Sequence, residues 1–348
     1  MTKRIAIVGA GALGGYVGGN FARQGLDVTL IDPWPENVET IRRRGIELDG
    51  LTPEEKFVVD RIKILHVTEV QGLAKAPVDV AFVAMKSYDT LWATALIAPY
   101  LSERGFVVSL QNCMNEETIA GVVGWGRTLG VVASQISVDL YEAGRIRRTI
   151  AKGGDKYTIF RVGEPHGRIT PRVEELVEWF RGIDSAKATT NLWGERWSKL
   201  VQNAMGNGVT AATGLTTSAC LGDRTIRRFQ IALAGEGIRV GQALGYQLEK
   251  IRAIEPELLV RAAEGDAGAM AEVESVIVPK SNPRADIQRP SMAQDILKGR
   301  RTEIDAMNGY IARKGEQVGV AAPSHRKLAD LVTRIERGEL RPSPSLLA

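Results

Sequence analysis

The stretch that decides the fold is Lys3-Arg-Ile-Ala-Ile-Val-Gly-Ala-Gly-Ala-Leu-Gly14. Its apolar start, Lys3–Val8, predicts a buried parallel strand, and a helical pattern follows to Arg23. Gly9 permits a tight turn, Gly11 lets backbone approach a pyrophosphate, and Gly14 allows close packing of helix on strand. The helix N-terminus also offers free N–H groups to phosphates, so this loop predicts a dinucleotide site. The expected cofactor contacts are Gly9, Ala10, Gly11, Ala12, Leu13 and Gly14.

The acidic residue Asp32 bears on the choice of dinucleotide. It ends a second predicted strand, Asp27–Ile31, and stands 21 residues after Gly11. A carboxylate there can accept hydrogen bonds from both ribose hydroxyls and would repel a 2′-phosphate. The next residue is Pro33 rather than an arginine, so NAD(H) is favoured and NADP(H) is the alternative. A solvated turn aspartate is the other interpretation of Asp32.

Strand and helix patterns alternate through the N-terminal half. Further strands are predicted at Val78–Ala84, Phe106–Leu110, Leu129–Val132, Tyr157–Val162 and Ala186–Thr190, and helices at Thr90–Tyr100 and Pro171–Phe180. This alternation predicts an α/β Rossmann domain with a doubly wound parallel sheet. Ligands of such sheets lie beyond the carboxyl ends of the strands. Lys86 and Asn112 each follow a strand, so we expect them at the cofactor; isolated surface residues are the alternative.

The C-terminal half is predicted to be helical. Helical periodicity recurs over 192–208, 224–245, 255–276, 291–316 and 323–337. We therefore expect a Rossmann domain over 1–190 and an α-helical domain with substrate and catalytic groups over 191–340. The breaker-rich segment 278–290 predicts a loop, either a lid or a connector.

Three polar side chains share a spacing within the helix predicted over 192–208. Lys199, Asn203 and Asn207 stand at i, i+4 and i+8. A helix advances about 100° per residue, so we expect the three to stack on one face and hold one small polar molecule. The alternative is that Lys199 is a surface lysine whose ammonium group lies in solvent.

The helix predicted over 291–316 carries a carboxylate on its apolar face. That face consists of Met292, Ile296, Gly299, Glu303, Met307 and Tyr310. Burying an unpaired carboxylate is costly, so Glu303 should have a cation or hydroxyl partner, and a structural ion pair with an arginine is the alternative. Ser291 starts this helix and is a suitable N-cap residue.

Composition excludes several classes of protein. The 348 residues are 44% hydrophobic and 25% charged, and the net charge of +4 comes from scattered basic residues, so we expect no nucleic-acid partner. The two isolated cysteines and three dispersed histidines predict neither a disulfide framework nor a metal site. No signal peptide or membrane span is expected, so we expect a cytoplasmic protein without a membrane partner.

Five motifs, in their order along the chain, resemble the ketopantoate reductase (2-dehydropantoate 2-reductase) family. They are Gly9–Gly14, Ala84-Met-Lys-Ser87, Leu110-Gln-Asn-Cys-Met114, Trp197–Asn207 followed by Thr210-Ala, and Ser291–Ile296 with Arg301–Asp305 and Asn308-Gly309. The resemblance covers nearly the whole chain. It implies a Rossmann domain followed by a helical domain.

The resemblance also implies a role for each candidate residue. Lys199 resembles the proton donor, and the residues that match substrate contacts are Asn203, Asn207 and Ser291. The residues that match positions contacting the nicotinamide cofactor or organising the catalytic site are Lys86, Asn112 and Glu303. The implied substrate is a small ketone or alcohol. We also expect a homodimer, since a helical second domain can support one.

Departures from the family pattern leave the substrate open. Cys113 and Asn115 replace two expected glycines, the Asp32-Pro33 pair replaces an NADP-selecting arginine, and residues 252–290 are longer than in compact members. We expect an NAD(P)H-dependent oxidoreductase acting on a 2-oxo acid or related ketone. Genuine 2-dehydropantoate 2-reductase is one alternative. A non-catalytic NAD(H)-binding or sensing protein is another, but it should have lost Lys199 or Glu303.

Overall fold

The structure is a computed structural model that describes residues 3–278 and 290–347. It divides into two units, Met1–Leu192 and Trp193–Ala348. Of the loop predicted over 278–290, residues 279–289 lie outside the described residues.

The first unit contains all twelve named strands of the described residues. They are β1 Arg4–Val8, β2 Asp27–Asp32, β3 Ile46–Asp49, β4 Phe57–Val59, β5 Lys63–His66, β6 Val78–Val83, β7 Leu101–Ser109, β8 Thr128–Ala133, β9 Val138–Glu142, β10 Arg145–Arg148, β11 Phe160–Gly163 and β12 Ala186–Thr189. Its helices are α1 Ala12–Arg23, α2 Pro35–Arg44, α3 Thr90–Ile97, α4 Glu116–Val123 and α5 Pro171–Arg181.

The main sheet has eight strands in the order β12-β11-β8-β7-β6-β1-β2-β5. Neighbouring strands are parallel except for the antiparallel pair β8–β11. The chain passes from β1 to β2 on one side and returns to β6 on the other. This confirms the predicted doubly wound sheet and places the crossover point, where such folds bind ligands, at the carboxyl ends of β1 and β6.

Both faces of this sheet are covered, as the apolar runs of its strands require. Along β1, Ile5 and Ile7 join the core beneath α1 and α5, whereas Ala6 and Val8 join the core beneath α3 and α4. The alternation follows from the two-residue period of a strand. The strand β1 is therefore buried on both sides.

A second sheet, with four strands in the order β4-β3-β10-β9, was not predicted from the sequence. It packs on α1 where that helix carries Gly15 and Gly19. A β-carbon at Gly15 would lie 2.5 Å from Ile146 Cδ1, and one at Gly19 would lie 3.0 Å from Leu48 Cδ1. The absence of these side chains lets the sheet approach the helix closely. Its strands are only three to five residues long, and three of the four contain charged residues, so they lack a clear strand pattern.

The second unit is helical, as predicted. Its helices are α6 Leu192–Ala204, α7 Asn207–Thr213, α8 Thr217–Gly222, α9 Arg224–Ala243, α10 Pro256–Ala263, α11 Ala267–Ile277, α12 Ser291–Leu297, a π-helical turn Asp305–Gly309, α13 Tyr310–Gln317 and α14 Pro323–Glu336. In residues 3–278 and 290–347, no helix combines the length and apolar character needed to cross a membrane.

Three helices predicted as continuous are interrupted. The predicted helix 192–208 breaks at Met205–Gly206, 255–276 breaks at Gly265, and 291–316 breaks after Leu297. Gly265 and Gly299 have φ values of +96° and +61°, in the left-handed region that glycine adopts readily and that ends a helix. The apolar periodicity persists across each break because both flanking helices face the core.

Candidate functional site

The loop between β1 and α1 has the geometry of a phosphate cradle. Gly9 has φ +104°, and a β-carbon on it would lie 2.8 Å from the Ala84 oxygen. A β-carbon on Gly14 would lie 2.0 Å from the Gly9 oxygen, whereas one on Gly11 would meet no atom within 4 Å. No side chain caps α1. The residues present therefore fit a dinucleotide, with the approach at Gly11 and the first turn of α1 facing a pyrophosphate.

The carboxylate of Asp32 is hydrogen-bonded to this loop. Its Oδ2 accepts a hydrogen bond of 2.7 Å from the Ala10 N–H, and its Oδ1 accepts one of 2.9 Å from the Trp34 N–H. Burial raises the pKa of Asp32, and these two N–H groups lower it part of the way back. The residue is only 6% exposed, so the interpretation as a solvated turn aspartate is wrong. Each oxygen keeps a further lone pair that can accept from a ribose hydroxyl.

Asn37 supports the same loop, a role that the sequence analysis did not predict. Its Nδ2 donates to the Ala10 oxygen at 3.2 Å, and its Oδ1 accepts from the Gly144 N–H at 2.8 Å. The residue is fully buried. Its position inside α2 gives no signal, because the two partners come from distant parts of the chain.

Lys86 and Asn112 lie just beyond the carboxyl ends of the neighbouring strands β6 and β7, both partly buried. The segments that carry them are joined by hydrogen bonds. Gln111 Nε2 donates to the Met85 oxygen at 2.9 Å, and Asn115 Nδ2 donates to the Asn112 oxygen at 2.6 Å. A β-carbon on Gly9 would lie 2.8 Å from Met85 Sδ. Lys86 and Asn112 therefore share one sheet edge with the glycine loop.

The two residues that replace family glycines are both buried, each 4% exposed. Cys113 has φ +64°, a left-handed conformation in which a cysteine is strained and a glycine is not. The Asn115 amide also donates to Ser87 Oγ at 3.3 Å and accepts from Thr90 Oγ1 at 3.2 Å. Through these hydrogen bonds, Asn115 connects the segment after β6 to the segment after β7.

In the second unit, Lys199 and Asn203 lie one turn apart on α6, and both are partly buried. The prediction that Asn207 continues the same helical stripe is wrong. Asn207 is the first residue of α7, after the chain turns at Gly206, whose N–H bonds the Asn203 oxygen at 3.1 Å. The spacing of eight residues from Lys199 therefore does not predict the direction of the Asn207 side chain.

Ser291 and Glu303 do not share one helix either. Ser291 is the first residue of α12 and is exposed, and the cap position belongs to Pro290 rather than to Ser291. Glu303 lies in the turn that precedes the π-helical segment. It is 7% exposed, so its predicted burial is confirmed, although the continuous helical face is not. The prediction of one continuous helix over 291–316 is wrong because Gly299 allows the chain to turn.

In residues 3–278 and 290–347, His, Cys, Asp and Glu side chains form no group of three or more that could hold a metal ion. The candidate residues of the second unit, Lys199, Asn203, Asn207, Ser291 and Glu303, carry an ammonium, two amides, a hydroxyl and a carboxylate. These groups can bind a polar molecule and transfer a proton.

Comparison with known proteins identifies the family. Residues 5–159 match the model of "Ketopantoate reductase PanE/ApbA", and residues 191–336 match that of its C-terminal domain. Relatives named 2-dehydropantoate 2-reductase from Archaeoglobus fulgidus and Pyrococcus horikoshii are 28% and 30% identical, over 97% and 94% of this chain and 99% and 96% of theirs. The fold is also that of a D-mandelate dehydrogenase solved with NADH and anilino(oxo)acetate (TM-score 0.77, 22% identity, 96% of this chain and 99% of that one). The chain therefore belongs to the ketopantoate reductase family of nicotinamide-dependent oxidoreductases.

Proposed function

We propose that this protein uses NADH to interconvert a small 2-oxo acid, or a related ketone, and the corresponding alcohol, with Lys199 as the proton donor. The observation that carries this proposal is the pairing of Lys199 with Asn203 one turn apart on α6. An ammonium beside an amide suits a carbonyl oxygen that gains charge and must then be protonated.

The reaction follows from the charge that develops on the substrate. A nicotinamide cofactor, when bound, would supply the hydride that the carbonyl carbon accepts. Negative charge then builds on the carbonyl oxygen, where the Lys199 ammonium stabilises it and donates a proton. Amides do not compete for that proton, so Asn203 and Asn207 can orient the substrate.

The remaining candidates support these groups. The Ser291 hydroxyl can bind a polar group of the substrate. The Glu303 carboxylate can act as a catalytic partner that organises the lysine, and its burial strengthens its electrostatic effect. At the edge of the sheet, Lys86 and Asn112 are suited to contact the cofactor near its nicotinamide.

The preference for NADH over NADPH is part of the proposal. Asp32 is buried at the end of β2 with its carboxylate held against the glycine loop. A phosphate on the ribose would have to approach that negative charge, whereas hydroxyls could donate to it. The D-mandelate dehydrogenase of the same fold was solved with NADH.

Genuine 2-dehydropantoate reduction is the second candidate function. The names of relatives that match almost the full chain at 28% and 30% identity favour it. The buried Cys113 and Asn115, in place of two glycines, favour a different small ketone. The cytoplasmic location and the homodimer stay predictions.

A substrate panel tests the proposal. The purified protein is mixed with NADH or NADPH and a series of 2-oxo acids that includes 2-dehydropantoate, and absorbance is followed in both directions. We expect turnover of at least one 2-oxo acid with a higher kcat/KM for NADH. Tight NADH binding without turnover of any ketone would instead indicate a sensing protein.

A further inference from the structure

Arg252 occupies a strained turn in the second unit. Arg252 and Ala253 have φ values of +52° and +65°. The flanking residues Ile251 and Ile254 exchange backbone hydrogen bonds of 2.9 and 3.0 Å, which closes a two-residue turn. Turns with two left-handed central residues normally contain Asn-Gly, so Arg-Ala here is conformationally unfavourable. The surrounding structure therefore holds this arginine in place against its backbone preference.

The Arg252 side chain reaches the break between α6 and α7. Its Nη2 lies 3.3 Å from the position that a β-carbon would take on Gly206. Gly206 follows Asn203 by three residues and directly precedes Asn207. The guanidinium is thus beside the chain segment that joins the two asparagines, and the glycine makes room for it.

No acidic side chain in residues 3–278 and 290–347 forms an ion pair with Arg252. Two other arginines of this unit, by contrast, form ion pairs: Arg227 with Glu274 at 2.9 Å and Arg239 with Glu264 at 2.8 Å. The described residues provide Arg252 with neither an ion pair nor a hydrogen bond to its guanidinium. The residue is partly exposed, but burial of the guanidinium lowers its pKa below the usual range. A partly desolvated cation without an anion is costly, so this position favours binding of an anion.

We propose that Arg252 binds the carboxylate of the substrate and thereby selects 2-oxo acids over neutral ketones. The inference rests on the proposed function and adds a residue that determines specificity. A guanidinium can donate two parallel hydrogen bonds to a carboxylate, which fixes its orientation as well as its position. The ketone oxygen is then left for Lys199 and the asparagines.

The alternative role for Arg252 is structural. The carbonyl groups at the end of α6 carry partial negative charge, and a cation near a helix C-terminus stabilises it. That role would be independent of the substrate's charge. The test must therefore compare an anionic with a neutral substrate.

The variants are Arg252→Gln, Arg252→Lys and the control Arg239→Gln, which removes an arginine paired with Glu264. Glutamine keeps a β-carbon, so the strain at φ +52° is unchanged. Each protein is assayed with the best 2-oxo acid and with its methyl ester, which keeps the ketone and lacks the charge. Thermal unfolding with and without oxamate, an unreactive 2-oxo acid analogue, gives a readout independent of turnover.

We expect Arg252→Gln to raise KM for the acid about ten- to a hundredfold, as loss of a charge-assisted hydrogen bond does, with kcat changed only a few-fold. Its kcat/KM for the ester should change less than twofold, and the stabilisation by oxamate should disappear. Arg252→Lys should restore part of the affinity, and Arg239→Gln should match wild type.

Two results for Arg252→Gln would overturn the role of Arg252 and leave the proposed function standing. One is an equal loss of kcat/KM for the acid and the ester, and the other is an unchanged stabilisation by oxamate. If wild-type protein turned over no 2-oxo acid but showed an oxamate shift that needs Arg252, the proposed function would be rejected and the carboxylate site would be kept. Absence of both turnover and oxamate shift in wild type would reject both.

Discussion

At the scale of single residues, the proposed cofactor preference and the proposed proton transfer both depend on charge. The Asp32 carboxylate accepts the Ala10 N–H at 2.7 Å, so the group proposed to contact the ribose also holds the glycine loop. Lys199, on α6, is the proposed proton donor, and its positive charge would stabilise the developing oxyanion. Exchanging either residue should therefore change one kinetic property and leave the other nearly intact.

Asp32→Asn should weaken the preference for NADH. The amide keeps one acceptor oxygen but removes the charge that repels a 2′-phosphate, so we expect the ratio of kcat/KM for NADH to that for NADPH to fall about tenfold. Steady-state kinetics with both cofactors measures it. Asp60→Asn, at an exposed turn of the same unit, is the control. A clear NADPH preference in the wild-type protein would remove this role from Asp32.

Lys199→Ala should lower kcat by a factor of about 10² to 10⁴, the usual contribution of a positioned proton donor. The dissociation constant for NADH should hardly change, because Lys199 is assigned to the substrate. Kinetics and fluorescence titration with NADH separate the two effects. Lys327→Ala, which removes an exposed lysine from α14, is the control. If kcat stayed at the wild-type value, Lys199 would have no part in the mechanism.

At the scale of elements, the β1–α1 turn shows that three glycines of one motif have different roles. Gly9 and Gly14 are required by contacts inside the protein, since added β-carbons would lie 2.8 Å and 2.0 Å from backbone oxygens. Gly11 has no such neighbour within 4 Å. We therefore propose that Gly11 is needed for the ligand rather than for the fold.

Alanine at two of these glycines should separate folding from binding. Gly14→Ala should destabilise the protein by about 1–3 kcal/mol or more, as overpacking does. Gly11→Ala should unfold at nearly the wild-type temperature but bind NADH at least tenfold more weakly, since its methyl group would face the pyrophosphate. Thermal unfolding and NADH titration measure these effects. Gly121→Ala in α4, with no atom within 4 Å of the added carbon, is the control. Unchanged NADH affinity in Gly11→Ala would contradict the phosphate cradle.

At the scale of the whole molecule, a buried histidine joins several helices of the second unit. His325 Nε2 donates to the Leu233 oxygen at 2.8 Å, which leaves Nδ1 to accept from Asn308 Nδ2 at 3.0 Å. Asn308 also donates to the oxygen of Ala204, the last residue of α6, at 3.0 Å. The network thus connects α14, α9 and the helix that carries Lys199.

This network should make stability depend on pH. Burial lowers the pKa of His325 from 6.5 to about 4. Between these values the unfolded chain binds a proton that the folded chain does not, so stability falls as pH decreases, by up to about 1.4 kcal/mol per pH unit. Urea unfolding at several pH values above about 4 measures the slope. His325→Gln should be less stable but should lose this part of the slope. An equal slope in both proteins would exclude His325 as its source.

Features that depend on local order along the chain can be predicted from the sequence alone. A strand, a glycine loop and a helix follow one another within Lys3–Arg23, and each has a periodicity or a turn residue that can be read directly. The doubly wound sheet, the helical second unit and the family were predicted for this reason. The same holds for the placement of Lys86 and Asn112 after neighbouring strands.

Contacts between residues that are far apart in the chain become visible only in the folded protein. Asn37 supports the glycine loop through Ala10 and Gly144, and the second sheet pairs β3 with the distant β10. Arg252 reaches Gly206 from a turn that lacks the usual Asn-Gly signal. Periodicity also continued through Gly206 and Gly299, where the helices end, because the pattern records which side is buried and not whether the helix axis is continuous. For that reason the sequence identified Lys199, Asn203 and Asn207 as a group, and only the folded chain shows that Asn207 belongs to a second helix.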